Sequence, residues 1–172
     1  MVIIKFLGMG IIMLSSTLMG ICFSQCLASR ESELNNLYNS LQMLFNELSF
    51  SMAPIKDIMC TLSYVAQGEC KEMLELLKNH IESGKSAPES WVYSIEKCAH
   101  KMSLTKEDMQ YLVMMSPAFD AYEIDEQKMR LKEIMQRILI LAENAKNVKT
   151  KNSKLVKMLG VYGGVLLCII IF

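Results

Sequence analysis

The chain has 172 residues, with 18 basic and 18 acidic side chains for a formal net charge of zero. Acids and bases are interspersed through its middle, which excludes the basic face that nucleic acid requires. A chain of this length forms one domain, and a modest one once the apolar stretches at its two ends are set aside.

Residues 6–29 contain no charge, and roughly 20 apolar residues suffice for a helix to cross about 30 Å of hydrocarbon. A signal peptide has an apolar core of only about 7 to 15 residues. The run is therefore read as a retained first transmembrane helix. Cys26, Leu27 and Ala28 are the residues a cleavage site would use under the alternative reading.

A soluble middle is expected over residues 30–154. Leu34, Leu37, Tyr38, Leu41, Leu44, Phe45 and Leu48 step by three and four, the spacing of one helical face. Neither glycine nor proline separates that helix from the first anchor, so it is free to run straight on from it. Pro54 stops it, since proline lacks the backbone donor yet suits the first turn of a following helix. The second helix shows Ile55, Ile58, Met59, Leu62 and Val65, with Gly68 as its expected C-terminal cap. The third carries Met73, Leu74, Leu77 and Ile81 and closes at Gly84.

Ser86, Pro88 and Glu89 combine an N-cap oxygen, a pre-set first turn and a reciprocal carboxylate at the start of a fourth helix. Its buried stripe is Trp91, Ile95 and Cys98 or Ala99. Thr105 and Asp108 repeat the capping pattern before Met109, Leu112, Val113 and Met115, and Pro117 ends this fifth helix. From about Glu123 a long sixth helix places Leu131, Ile134, Met135, Ile138, Leu141, Ala142, Ala145 and Val148 at helical spacing, with no proline or glycine before Gly160.

Residues 155–172 are read as a second transmembrane helix, with Lys154 and Lys157 reaching back to the interface. Gly160 and Gly164 have the spacing that lets a second helix approach closely. Lys146, Lys149, Lys151, Lys154 and Lys157 cluster just before this anchor, and lysines beside a span favour the cytoplasmic side. The middle is thus expected in the cytoplasm with both termini across the membrane. No segment alternates as a strand does, so the fold class is all-α: a six-helix bundle flanked by transmembrane helices.

Chemistry is sparse. The sequence has no phosphate-binding glycine loop, no dinucleotide turn and no His-Glu-x-x-His pair, so no catalytic residue, metal, cofactor or small-molecule substrate is expected. Of six cysteines, Cys22, Cys26 and Cys168 lie in the anchors. Cys60, Cys70 and Cys98 remain, an odd number without Cys-x-x-Cys spacing, which suits buried free thiols. His80 and His100 fall near helix ends, where imidazole meets the negative end of the dipole. Most of the fifteen methionines share the Leu and Ile stripes or lie inside the anchors, and they are read as core filling rather than a recognition surface. The candidate partner-binding surface is a charged patch at two helix starts: Lys106, Glu107 and Asp108 on the fifth, and Glu123, Asp125, Glu126 and Lys128 on the sixth.

Read end to end, the chain resembles the stage III sporulation protein AB family of endospore-forming bacteria. Residues 41–48 leading into Met52-Ala53-Pro54-Ile55 carry the likeness, as do Ser90-Trp91, Leu104 to Asp108 with Leu112, and Lys157-Met158-Leu159-Gly160 with Gly163-Gly164. It departs at Ser116-Pro117-Ala118-Phe119-Asp120, where the family has a Leu-Gly turn. The resemblance implies a bundle like the inner-membrane platform domain of type II secretion machines. It further implies a place in the mother-cell membrane around the forespore, in a channel complex with a partner ATPase of the stage III sporulation protein AA type and other membrane proteins. The alternative is a stand-alone membrane-anchored sensor or regulator.

Overall fold

The computed structural model describes residues 2–51, 53–120 and 123–171. For residues 2–7, 9, 12–13, 153–154, 156–157, 160–161 and 163–171 it describes the backbone alone. Six α-helices follow in order among these residues: α1 (Val2–Phe50), α2 (Ile55–Thr61), α3 (Gly68–Glu82), α4 (Ala87–Cys98), α5 (Lys106–Met114) and α6 (Ile124–Ile171). Short 3₁₀ turns, Leu62–Tyr64 and Ser116–Phe119, follow α2 and α5.

The chain forms two compact units. Residues 32–143 make one, and residues 1–31 with 144–172 make the other; α1 and α6 contribute to both. In the second of these, Lys149 Nζ lies 2.6 Å from Glu31 Oε2, and Ser24 and Ala145 are buried.

The 32–143 unit is the helical bundle. The stripes expected from the sequence meet in one core: Leu37, Leu41, Leu44 and Leu48 of α1, Met73, Leu74 and Leu77 of α3, Trp91 and Ile95 of α4, Leu112 of α5, and Leu131 and Ile138 of α6. Each such side chain contributes about 1.5–3 kcal/mol by leaving water. α3 packs on α2 and α4, and α4 packs on α5.

Helix ends follow local chemistry. Pro54, at φ −56° and ψ 137°, precedes α2. Gly84 adopts φ +93° and its N–H reaches the Ile81 carbonyl at 3.0 Å, closing α3 as expected. The Ser86 hydroxyl accepts from the Glu89 N–H at 3.3 Å. The Glu89 carboxylate, however, sits 3.6 Å from Lys85 Nζ, so it turns to an exposed cation rather than back to the cap. Around α5 the capping box is complete, with Asp108 N–H donating to Thr105 Oγ1 at 3.2 Å and Thr105 N–H donating to Asp108 Oδ2 at 3.0 Å.

Three expectations are corrected. Gly68 does not cap α2: the 3₁₀ turn satisfies those carbonyls, with the N–H groups of Val65 and Ala66 both reaching Leu62 O at 3.2 Å. Gly68 instead opens α3 at φ +60°, a conformation that suits glycine. Tightening also rotates the chain, so Val65 is 47% exposed and Ala66 takes the core position. Val148, expected on the buried stripe of α6, is 37% exposed.

Among the described residues no helix is long and apolar enough to cross a membrane. Most of the 155–172 segment, including the Gly160 and Gly164 pair, and residues 6, 7, 9, 12 and 13 of the 6–29 segment lie outside the residues whose side chains are described.

Candidate partner-binding surface

The candidate charges are divided between the two ends of the bundle. The buried Glu33 carboxylate of α1 accepts from Ser103 N–H at 2.9 and 3.1 Å, which ties the chain just before α5 to α1 near residue 33. Lys106, Glu107 and Asp108 are therefore at that end. From Glu33 to Phe50, α1 rises roughly 25 Å. Residues 38–46 of α1 and 132–139 of α6 line one cleft, and Lys149 pairs with Glu31, so α6 runs antiparallel along α1. Glu123, Asp125, Glu126 and Lys128 consequently stand at the Phe50 end, so the single patch expected across the Pro117 turn is two patches. A turn joins the end of α5, not its start, to α6.

Their environments differ as well. Lys106, Glu107, Glu123 and Asp125 are exposed. Asp108 is 1% exposed, because its carboxylate is spent on the Thr105 cap. It belongs to the fold and is withdrawn from the candidate surface. Glu126 pairs with Arg130 at 2.5 Å and Asp125 with Lys128 at 4.0 Å, both local pairs along α6. Exposed pairs of this kind contribute little to stability.

Glu33 was not anticipated from the sequence. Burial raises its pKa, and the backbone hydrogen bond from Ser103 opposes the rise. A signal was present: Glu33 stands four residues before Leu37 and so lies in register with the apolar stripe.

Clefts open on the bundle among the described residues. One, of about 540 Å³, is lined by residues that include His80, Lys85, Glu89, Tyr93 and Glu96. His80 stacks on Tyr93 with ring centroids 4.3 Å apart and 6° between planes. Its Nδ1 lies 3.1 Å from Ser90 Oγ. Ser90 donates its one hydroxyl hydrogen to Ser86 O at 2.7 Å, so His80 Nδ1–H donates to Ser90. That direction is opposite to the one a base needs to activate a serine, and Ser90 is fully buried. The pair fastens the end of α3 to α4. Another cleft, of about 380 Å³, follows the seam of α1 and α6.

Cys70 and Cys98 are buried free thiols, as expected, whereas Cys60 is only half-buried. Burial pushes the Cys70 thiol up to about 12. Among the described residues no group of three or more His, Cys, Asp or Glu side chains is placed to hold a metal ion.

Fold and surface together define the class: an all-α bundle protein whose buried carboxylates Glu33 and Asp108 serve a tether and a cap, and whose open surfaces include clefts and charged helix ends. The particular family follows from comparison. The family model for stage III sporulation protein AB matches residues 5–172, and the chain belongs to that family. Stage III sporulation protein AB of Bacillus subtilis (strain 168) is 21% identical over 169 residues, covering 98% of this chain and 99% of that one. A solved structure of stage III sporulation protein AB shares the fold, with a TM-score of 0.66 at 16% identity over 72% of this chain and 98% of that chain. The resemblance carried by the four sequence motifs thus extends along nearly the whole length.

Proposed function

We propose that this chain is a non-enzymatic membrane platform of a sporulation-specific, secretion-like channel complex between mother cell and forespore, where it docks a cytoplasmic assembly ATPase of the stage III sporulation protein AA type. The observation that carries the reading is the family match along residues 5–172. A helical bundle whose buried carboxylates Glu33 and Asp108 serve its own tether and cap suits a scaffold. Charged residues at two ends of that bundle offer contacts to different partners. Anchoring through residues 6–29 and 155–172 is part of the proposal, supported by the uncharged run of the first and the lysines before the second.

The test is a tagged full-length chain recovered from sporulating cells in mild detergent. The chain is expected in the membrane fraction together with the ATPase, and its deletion is expected to arrest development at stage III. Recovery from the soluble fraction with no ATPase attached would overturn the reading.

A further inference from the structure

The α1–α6 cleft is the middle of a longer face. Tyr38, Gln42 and Asn46 line it on α1, and Lys132, Met135 and Leu139 line it on α6. Helical spacing extends both rows toward the end where α1 stops. Phe50 is four residues beyond Asn46, and Met129 is three residues before Lys132. Phe50 is 86% exposed, Met129 59% and Leu139 47%. A band of exposed apolar side chains, interspersed with Gln42, Asn46, Lys132 and Gln136, therefore runs along the seam.

Its Phe50 end is acidic. Glu47 shares the Phe50 face of α1, three residues away, and Glu123 and Asp125 stand at the start of α6. Lys56 and Asp57 at the start of α2 cancel, Lys128 pairs with Asp125 and Arg130 with Glu126, so Glu47 and Glu123 are the acids outside these pairs, with Lys132 further along the cleft. Acids at the start of α6 are favoured by the helix dipole, which accounts for Glu123 and Asp125 without a partner. Glu47 has no such account. It lies in the last turn of α1, which holds no basic residue, with its carboxylate toward the negative end of the dipole.

We infer that this seam is the docking groove for an amphipathic helix of a partner protein, one that lays apolar side chains along Phe50, Met129, Met135 and Leu139 and sets basic side chains against Glu47 and Glu123. Charge selects that occupant over a second copy of this chain. In a parallel two-fold pairing along the seam, Glu123 and Asp125 face themselves. In an antiparallel pairing they face the end marked by exposed Glu143, four residues beyond Leu139. Both symmetric arrangements oppose acid to acid. The groove deepens the platform reading and rests on the chain being part of an assembly, although its partner chemistry is independent of which component supplies the helix.

The experiment places a photo-crosslinking phenylalanine analogue at Phe50 or at Met129 of the full-length chain in sporulating cells, with Tyr64, exposed on another face, as the control position. Adducts from Phe50 and Met129 are expected to contain one partner peptide, apolar on one helical face and net positive. Position Tyr64 is expected not to capture it. Combining Glu123→Lys with Asp125→Lys should lower adduct yield roughly tenfold at equal protein level, since like charges then meet across the interface. Glu107→Lys, at the other end of the bundle, should leave the yield unchanged. An acidic or neutral peptide, a peptide of this same chain, no adduct at either seam position, or undiminished yield in the double variant would each overturn the groove. A basic helix from a protein other than the ATPase would keep the groove and remove ATPase docking at this surface.

Discussion

The indole Nε1 of Trp91 donates to the main-chain carbonyl of Leu112 at 2.7 Å, fastening the middle of α4 to α5. The indole is fully buried and meets Phe119 at 4.8 Å between ring centroids, so the same side chain also holds the 3₁₀ turn after α5.

Trp91→Ala is expected to cost about 3–5 kcal/mol from the cavity and lost transfer energy. That is a large part of the roughly 5–15 kcal/mol a domain has. Trp91→Phe keeps most of the volume but removes the stronger of two hydrogen bonds to the Leu112 carbonyl, which still accepts from Met115 N–H at 3.3 Å, a loss of about 0.5–1.5 kcal/mol. Thermal unfolding followed by circular dichroism in detergent ranks the variants. An unchanged melting temperature for Trp91→Ala would mean that the indole is not buried.

Glu33 predicts a pH dependence. Its pKa in the folded state is raised by burial, so between the ordinary carboxyl value and the raised value the folded state binds the proton more strongly than the unfolded state. By linkage this group's contribution to stability falls as pH rises through that window and is recovered as pH is lowered through it. Protonation leaves an acceptor oxygen for Ser103 N–H, so the tether survives. Glu33→Gln should remove this component of the slope while keeping the acceptor. Urea titrations of both proteins between neutral and mildly acidic pH test it, and identical slopes would refute the assignment.

The capping box separates fold from surface among neighbouring residues. Thr105→Ala should cost about 0.5–2 kcal/mol as an N-cap loss. Asp108→Ala should cost a similar amount, because it removes the other half of the box and empties a buried side-chain position. Glu107→Ala, fully at the surface, should stay within about 0.5 kcal/mol of the parent. Equal melting temperatures for all three would dissolve the distinction.

Thiol reactivity should follow burial. With its thiol pushed up to about 12, Cys70 at pH 8 is thiolate only to about one part in ten thousand, and the thiolate is the reactive form. Iodoacetamide labelling read by mass spectrometry should modify Cys60 before Cys70 and Cys98, with the order lost in denaturant. Early modification of Cys70 in the native protein would contradict its burial.

Much of this bundle is written in interactions that span three or four residues, and those are legible in a sequence. The Thr105 and Asp108 box, the Ser86 cap, the turn at Gly84, the stop at Pro54 and the Leu34 to Leu48 stripe were each readable because cap and periodicity depend on nearest neighbours along one helix. Trp91 was readable as core for the same reason, although its acceptor on α5 was not.

Tertiary packing alone decided the rest. Glu33 stands in register with the apolar stripe, but its partner Ser103, 70 residues away, is brought against it only by the fold. Gly68 reads as a cap until the 3₁₀ turn takes over the end of α2. The two charged helix starts read as one patch until the Glu33–Ser103 tether and the antiparallel course of α1 and α6 set them at opposite ends, and the α1–α6 seam exists only once the first and last helices lie side by side. Periodicity tells which face of a helix is apolar, but which neighbour covers it, and where the cover stops, is settled by how all six stripes divide a single core.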